Sequence, residues 1–414
     1  MDSNQRVVIT GIGAISAIGS TAEENWQNAL HGISGVGPLT LFDGSDFLVR
    51  IACEVKDFRP EEYMPAREAR RRDRFEQFAA VAAQEALAKA GLLESNHDPE
   101  RVGVIVSSAI GGLNVLQEYI PLIEAEGPRK VSPFAIPMLM SNGAAGMIAI
   151  DYGFKGPCYS VTSACASGAD GIGTAWRLIK SGIIDVAITG ASEATITPIG
   201  MASFDRIGAT SRRNQDYSMT PQPFDKNRDG LVMGEGAAIL VLESENHARQ
   251  RGAPILAELA GYASTADAFH ITAPSEDGAG GARAMRNALE SAGLNLNSVD
   301  YINAHGTATQ LNDLSETRAI KAAFGKMAYQ IPISSTKSVT GHMMGASGAL
   351  EAVFCVKVVQ NDVMPPTAHY ETPDPECDLD YIPNQARQKP VQVAISNSFG
   401  FGGHNAVLVI KKYV

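Results

Sequence analysis

Residues 156–173 read GPCYSVTSACASGADGIG, and this stretch decides the fold class. Gly156-Pro157 signals a turn. A β-prone run follows at residues 158–162, then six small residues, 163–168, open a helical pattern. Ala169, Ile172, Trp176 and Ile179 recur at the spacing of one helix face. Strand, tight turn and helix in that order form the repeating unit of α/β proteins. Cys165 falls where the strand passes into the first helical turn. Backbone N–H groups are unpaired there and the helix dipole is positive. Both favour thiolate, the nucleophilic form of cysteine, and the small neighbours leave room for a substrate. The alternative is a small buried hydrophobe, which most free cysteines are.

The pattern recurs along the chain. Residues 6–12, RVVITGI, predict a buried strand, and Thr21 a helix N-cap. Residues 66–90 predict one long amphipathic helix, arginine-rich at its start. Residues 102–108, 185–189 and 236–243 predict further strands. Residues 111–156 hold Pro128, Pro133 and Pro137 and few clear elements; they read as an insertion packed against something, such as a second subunit. Residues 195–230 read as irregular. The pattern restarts after Arg251-Gly252, with strands at 256–262, 299–303, 331–334, 391–396 and 405–411 and a helix at 281–292. The chain thus divides into two β/α-alternating halves, 1–255 and 256–414. The turn of the first carries Cys165 and that of the second His342. If the halves face each other about a pseudo-dyad, these turns converge. Alternating strands and helices imply buried parallel sheets. Ligands bind beyond the carboxyl ends of such strands, where Cys165, His305, His342 and Phe401 fall.

Composition narrows the function. The chain has 414 residues, 45% hydrophobic and 19% charged, with a net charge of −11. An acidic chain of this kind argues against nucleic acid and anionic membranes as partners. Five cysteines, an odd number, with residues 1–5 leading straight into a strand, suggest a reducing cytoplasmic compartment and no leader. No apolar run reaches the ~18 residues of a membrane helix. A metal site ranks low, because neither Cys-x-x-Cys nor His-x-x-x-His spacing occurs. One cysteine with His305 and His342 in glycine-rich, strand-terminal loops suits acyl transfer through a thioester.

Four motifs give a resemblance across nearly the whole chain: SACASG around Cys165, AHGTAT around His305, TKSVTGHMMGASG around His342, and SNSFGFGGHN near residue 400. Together with PFDKNRDGLVMGEGA at 223–237, they resemble the elongating β-ketoacyl-acyl carrier protein synthases. The resemblance implies a thiolase-like α/β fold of αβαβα layers, a homodimer and a Cys-His-His site. It makes Cys165 the nucleophile that takes the acyl chain, while His305 and His342 bind the malonyl thioester carbonyl and promote decarboxylation. It pairs Lys337 with Glu351, which is also what an ordinary salt bridge would do. Thr307 and Thr309, joined by Thr272, match the family's hydroxyls near the malonyl or pantetheine chain. The resemblance also implies an oxyanion hole from the backbone N–H groups of Cys165 and Phe401, with Gly402, beside Gly400 and Gly403, permitting close approach. Phe204 and Phe401 match gating aromatics, although either could be a core residue. Ile110 matches the family's acyl-pocket position, so the resemblance implies that it borders that pocket. His404 departs from the threonine of many relatives. Cys53, Cys158, Cys355 and Cys377 read as structural.

No metal or redox cofactor is implied, since the acyl carrier protein brings its own phosphopantetheine arm. The basic run Arg67, Arg70, Arg71 and Arg74, with Arg212 and Arg213, is a candidate docking patch for that acidic partner; a solvated helix face is the alternative. The rival functions are a thiolase or initiating synthase, a ketosynthase of a specialised polyketide pathway, and a non-catalytic chain-length subunit.

Overall fold

The structure is a computed structural model that describes residues 5–414. The expectation that the chain opens without a targeting segment falls largely on residues 1–4, outside the described residues. Ten strands form one sheet: β1 Val7–Ser16, β2 Val102–Ser107, β3 Cys158–Tyr159, β4 Val186–Glu193, β5 Gly236–Ser244, β6 Ala257–Ala266, β7 Tyr301–Asn303, β8 Ile333–Ser334, β9 Val393–Gly400 and β10 His404–Lys411. Their order is β8-β7-β9-β10-β6-β1-β5-β4-β2-β3. Strands β6 to β10 repeat the arrangement of β1 to β5, strand for strand. Direction repeats too: the first two pairings outward from β1 or β6 are antiparallel and the next two parallel. The seam between β1 and β6 is short, with only Val8↔Glu258 and Ile9↔Ala257 in register. Arg6 reinforces it through Glu245 (3.2 Å) and Glu258 (2.7 Å), and stacks over the Tyr413 ring at 4.9 Å.

The helices are α1 Ala22–Leu30, α2 Ala66–Ala69, α3 Arg74–Ala90, α4 Leu113–Glu126, α5 Ala135–Leu139, α6 Gly143–Tyr152, α7 Ser167–Lys180, α8 Pro198–Ile207, α9 Glu245–Gln250, α10 Ala279–Ser291, α11 Gln310–Phe324, α12 Lys337–Thr340 and α13 Ser347–Asn361. Helices α3 and α6 cover one outer face, where Phe75, Phe78 and Ala82 meet Val104, Val186 and Val241. Helices α10 and α11 cover the other, where Met285, Ala288 and Ile320 meet Ile302, Ile395 and Val409. Between them α7 and α13 share one core with Leu240, Leu242, Leu408 and Ile410. In β5, Ile239 and Val241 point outward while Leu240 and Leu242 point to the centre, the period-two alternation of a strand buried on both faces. The result is five layers, αβαβα.

Three expectations change. Residues 66–90 are two helices, not one. Asp73 breaks the run because its side chain accepts Phe75 N–H, while Glu76 Oε2 accepts Asp73 N–H at 2.9 Å, a capping box that starts α3 anew. Residues 111–156 are mostly helical; α4 runs through Pro121 and ends just before Gly127-Pro128. The irregular stretch 195–230 contains α8, begun by Thr197, whose hydroxyl accepts Gly200 N–H at 3.1 Å. Thr21 caps α1 as expected, accepting Glu24 N–H at 3.2 Å.

The two central helices cross at minimal distance. A Cβ on Gly168 of α7 would lie 2.7 Å from Gly345 O and 3.0 Å from Ala349 N of α13. A Cβ on Gly348 would lie 2.5 Å from Ser398 Oγ and 3.2 Å from Ala169 N. Backbone on both sides leaves no room for a side chain. Gly168→Ala should therefore cost about 1–3 kcal/mol, read as a lower urea midpoint at unchanged slope. An unchanged midpoint would show that α7 and α13 separate freely.

Candidate active site

The turn that carries Cys165 is built from residues 163–167. Ala166 N–H donates to Ser163 O and Ser167 N–H to Ala164 O, both at 3.1 Å, which reverses the chain ahead of α7. Ala164 is held at φ 52°, a left-handed conformation that a side chain resists. Cys165 follows it, buried at 8% exposure. Burial pushes its thiol up to about 11. The charge of Lys337 and the backbone N–H groups of Phe401 and Cys165 pull the other way, while Glu193 adds to the rise. The helix N-terminus was expected to favour thiolate; burial works against that expectation and favours the thiol.

Both histidines reach this turn from the second half. His305 follows β7; Glu316 of α11 fixes its loop by accepting His305 N–H at 2.8 Å and Gly306 N–H at 2.7 Å. Burial raises Glu316 to about 7, against those same bonds. His342 is anchored by its own backbone: its N–H donates to Val232 O at 2.7 Å and its carbonyl accepts Gly234 N–H at 2.8 Å. This pairing is what the 223–237 motif contributes. Ser347 Oγ lies 2.9 Å from His342 Nδ1 and accepts Met343 N–H at 2.9 Å. The two imidazoles stand 5.3 Å apart and nearly perpendicular, at 86°. Desolvation, then the nearby Lys337 charge, hold both well below the ordinary histidine value, so both are neutral.

Lys337 opens α12 and pairs with Glu351 of α13, both almost completely buried. Burial raises Glu351 and Lys337 opposes the rise. An open cavity of about 260 Å³ ends at Cys165, His305 and His342. Thr272, Thr307, Thr309 and Gln310 line it, and the Thr307 and Thr309 hydroxyls lie 2.9 Å apart. Phe204 and Phe401 also line it, stacked at 6.2 Å. A Cβ on Gly400 would sit 3.1 Å from Cys165 N, so glycine lets this loop lie on the Cys165 turn. Gly402, at φ +84°, donates its N–H to Ile271 O at 2.6 Å. The His404 ring packs against it.

Other expected residues lie elsewhere. Ile110 is 42% exposed and does not line the cavity; its N–H reaches Glu193 at 3.3 Å. Arg67, Arg71 and Arg74 do not share a helix face, because the helix breaks between them. Arg74 turns inward and grips Glu235 with two bonds of 2.8 and 2.6 Å. Arg71 lies 3.7 Å from Glu68, Arg212 2.9 Å from Asp205 and Arg213 3.5 Å from Asp229. Arg67 and Arg70 are exposed and make no ion pair among the described residues. All five cysteines are free, and Cys158 is exposed on the outermost strand. Glu193 escaped the sequence reading altogether. Fully buried, it accepts Ser108 Oγ, Ala109 N–H and Gly345 N–H at 2.8, 2.8 and 3.1 Å, and so ties the end of β2 to the turn ahead of α13. Nothing local in GASEATI marks it, since its partners are distant in sequence.

A five-layer fold that brings a cysteine at one helix N-terminus to two histidines from the opposite half defines a thiolase-like condensing fold. The family model for the beta-ketoacyl synthase N-terminal domain matches residues 4–248, and that for the C-terminal domain matches residues 256–371. The chain is 50% identical over 409 residues to a Synechocystis protein named 3-oxoacyl-[acyl-carrier-protein] synthase 2, covering 99% of this chain and 98% of that one. It is 47% identical over 413 residues to the protein of the same name from Staphylococcus aureus, covering 100% of both. Among solved structures, a Burkholderia phymatum beta-ketoacyl synthase superposes with a TM-score of 0.91 at 35% identity, covering 99% of this chain and 100% of that one. A ketosynthase structure in complex with its type II PKS acyl-carrier protein, bound to the hexaketide, gives 0.91 at 36% identity with the same coverage. The chain belongs to the beta-ketoacyl synthase family.

The raised thiol has a direct readout. Iodoacetamide alkylation of Cys165 in the free protein should keep climbing, about tenfold per pH unit, through the ordinary thiol pKa of about 8.5. A plateau at that pH would show that the helix dipole prevails over burial.

Proposed function

We propose that the protein joins an acyl group to malonyl-acyl carrier protein by decarboxylative Claisen condensation, giving 3-oxoacyl-carrier protein, carbon dioxide and free carrier protein in fatty acid elongation. The observation that carries this is one cavity ending at a thiol and two neutral imidazoles. The names of the relatives at 47–50% identity support it. No free cofactor is needed, because the prosthetic arm is on the carrier-protein substrate.

The chemistry follows from the residues. Acyl-carrier protein transfers its acyl group to Cys165 Sγ, and the thiol proton ends on the departing pantetheine sulfur. Malonyl thioester then binds with its carbonyl oxygen toward His305 and His342. Loss of carbon dioxide builds enolate charge on that oxygen. Neutral imidazoles with N–H donors can stabilise it without first surrendering a charge. The enolate carbon attacks the Cys165 thioester. The resulting oxyanion lies toward the backbone N–H groups of Cys165 and Phe401, and its collapse frees Cys165. Lys337, neutralised by Glu351, steadies the field around both steps. Thr307, Thr309 and Thr272 offer hydroxyls to the arm along the cavity, and Phe204 and Phe401 form its movable wall. A chain-length subunit without chemistry is disfavoured by the presence of Cys165. A polyketide ketosynthase remains the second reading, favoured by solved neighbours at 36–37% identity, one carrying a hexaketide.

The protein acts as a homodimer. The outer strand β3 offers an unpaired edge. The adjacent insertion exposes Ile120, Ile136 and Ile150 at 56%, 65% and 77%, a patch that a second copy would cover. Five free cysteines fit the cytoplasm, and among the described residues no helix is long and apolar enough to cross a membrane. The acidic carrier protein docks at Arg67 and Arg70, whose charges are uncommitted, rather than at the whole arginine run.

Two experiments check this reading. Cys165→Gln should abolish chain extension yet still release carbon dioxide from malonyl-carrier protein, whereas His305→Ala or His342→Ala should lower that release by about 100-fold or more. A folded Cys165→Gln protein unable to decarboxylate would contradict the division of labour. Reversing Arg67 and Arg70 to Glu should raise KM for carrier-protein substrates several-fold and weaken its salt dependence, while turnover of a short pantetheine thioester stays nearly constant. Equal losses with both substrates would assign these arginines to the fold.

A further inference from the structure

Asp170 lies in the first turn of α7, five residues after Cys165, and only 8% of it is exposed. A carboxylate there usually answers the helix dipole or caps free N–H groups. This one spends its oxygens elsewhere. Oδ2 accepts the Ser163 hydroxyl at 2.5 Å, and Oδ1 accepts the Tyr262 hydroxyl at 2.6 Å. Ser163 opens the nucleophile turn. Its N–H donates to Ser167 Oγ at 2.9 Å, and that hydroxyl donates to Ala164 O at 2.6 Å. The two serines therefore bracket Ala164 and Cys165. Tyr262 comes from β6 in the other half. Its ring fills the space above Gly173, where a Cβ would lie 2.3 Å from it, and the Arg177 guanidinium lies 4.9 Å from its centroid. The tyrosine hydroxyl thus has little freedom to move.

The turn needs such support. An alanine at positive φ is strained and persists only where its surroundings over-determine it. Hydrogen bonds inside the turn alone would relax with it; a brace from another element would not. We propose that Asp170 is a positioning residue for Cys165, tying Ser163 to Tyr262 so that the second half of the molecule holds the turn that aims the thiol. This rests on the reading of Cys165 as the acyl acceptor.

The test separates aim from fold. Tyr262→Phe keeps the ring over Gly173 and removes only the hydroxyl. In the full-length protein, single-turnover acylation of Cys165 by an acyl thioester should slow about tenfold or more, since small misplacements of a reacting atom are costly. Carbon dioxide release from malonyl thioester, which depends on the histidines, should stay within about twofold of wild type. Asp170→Ala should behave alike. Asp170→Asn should recover most of the acylation rate, because its amide can accept from Ser163 and donate to the Tyr262 oxygen. Wild-type acylation in Tyr262→Phe, equal loss of both activities, or no recovery in Asp170→Asn would each overturn the proposal. Failure to acylate Cys165 in the wild-type protein would instead overturn the reading beneath it.

Discussion

The close crossing of α7 and α13 is the constraint on which the site depends. Cys165 precedes one helix and His342 the other, so their separation is set by how near the two axes can lie. Gly168 and Gly348 let backbone meet backbone there. Side chains at this crossing would move the thiol away from the imidazoles before they touched either. The small residues of SACASG and GHMMGASG therefore serve packing as much as substrate access. Glu193 and Glu316 continue the same task from the periphery, each gathering backbone N–H groups from loops that would otherwise drift.

Burial sets the electrostatics of the centre. Taken out of water, the thiol stays protonated and the imidazoles stay neutral. The Lys337–Glu351 pair adds a dipole and little net charge. A centre without net charge of its own responds strongly to charge that appears during reaction, because little solvent competes with its N–H donors. Removing one member of that pair would leave the other charged and unpartnered, a change that typically costs 3–5 kcal/mol.

Much of this was legible in the sequence, and the failures share a cause. Strand–turn–helix at Cys165, the glycine-bounded loops of His305 and His342, and the restart after Gly252 rest on local signals, and the strands were found within a few residues. The break before α3 was legible in Asp73 and Glu76, but the surrounding alanines and arginines argued for one continuous helix. Local reasoning placed Arg74 with its neighbours on the surface, while Glu235, far along the chain, draws it inward. It gave Cys165 the benefit of a helix dipole and could not weigh the burial that opposes it. Glu193 and Asp170 carry no motif; their meaning lies in partners from other segments. Residues defined by their own turn can be read from sequence, and residues defined by distant contacts cannot.

The narrow seam between β1 and β6 bears on how the chain could be rewired. Arg6, at the start of β1, already touches Tyr413, just beyond β10, and Tyr413 donates to Glu245 at 2.7 Å. The beginning of the first half and the end of the second are thus neighbours in space. A chain linked there and opened between Arg251 and Leu256 would retain every strand pairing, with the histidine half translated first. The order of the halves is a property of the gene and not of the reaction centre, which requires only that both be present and face each other.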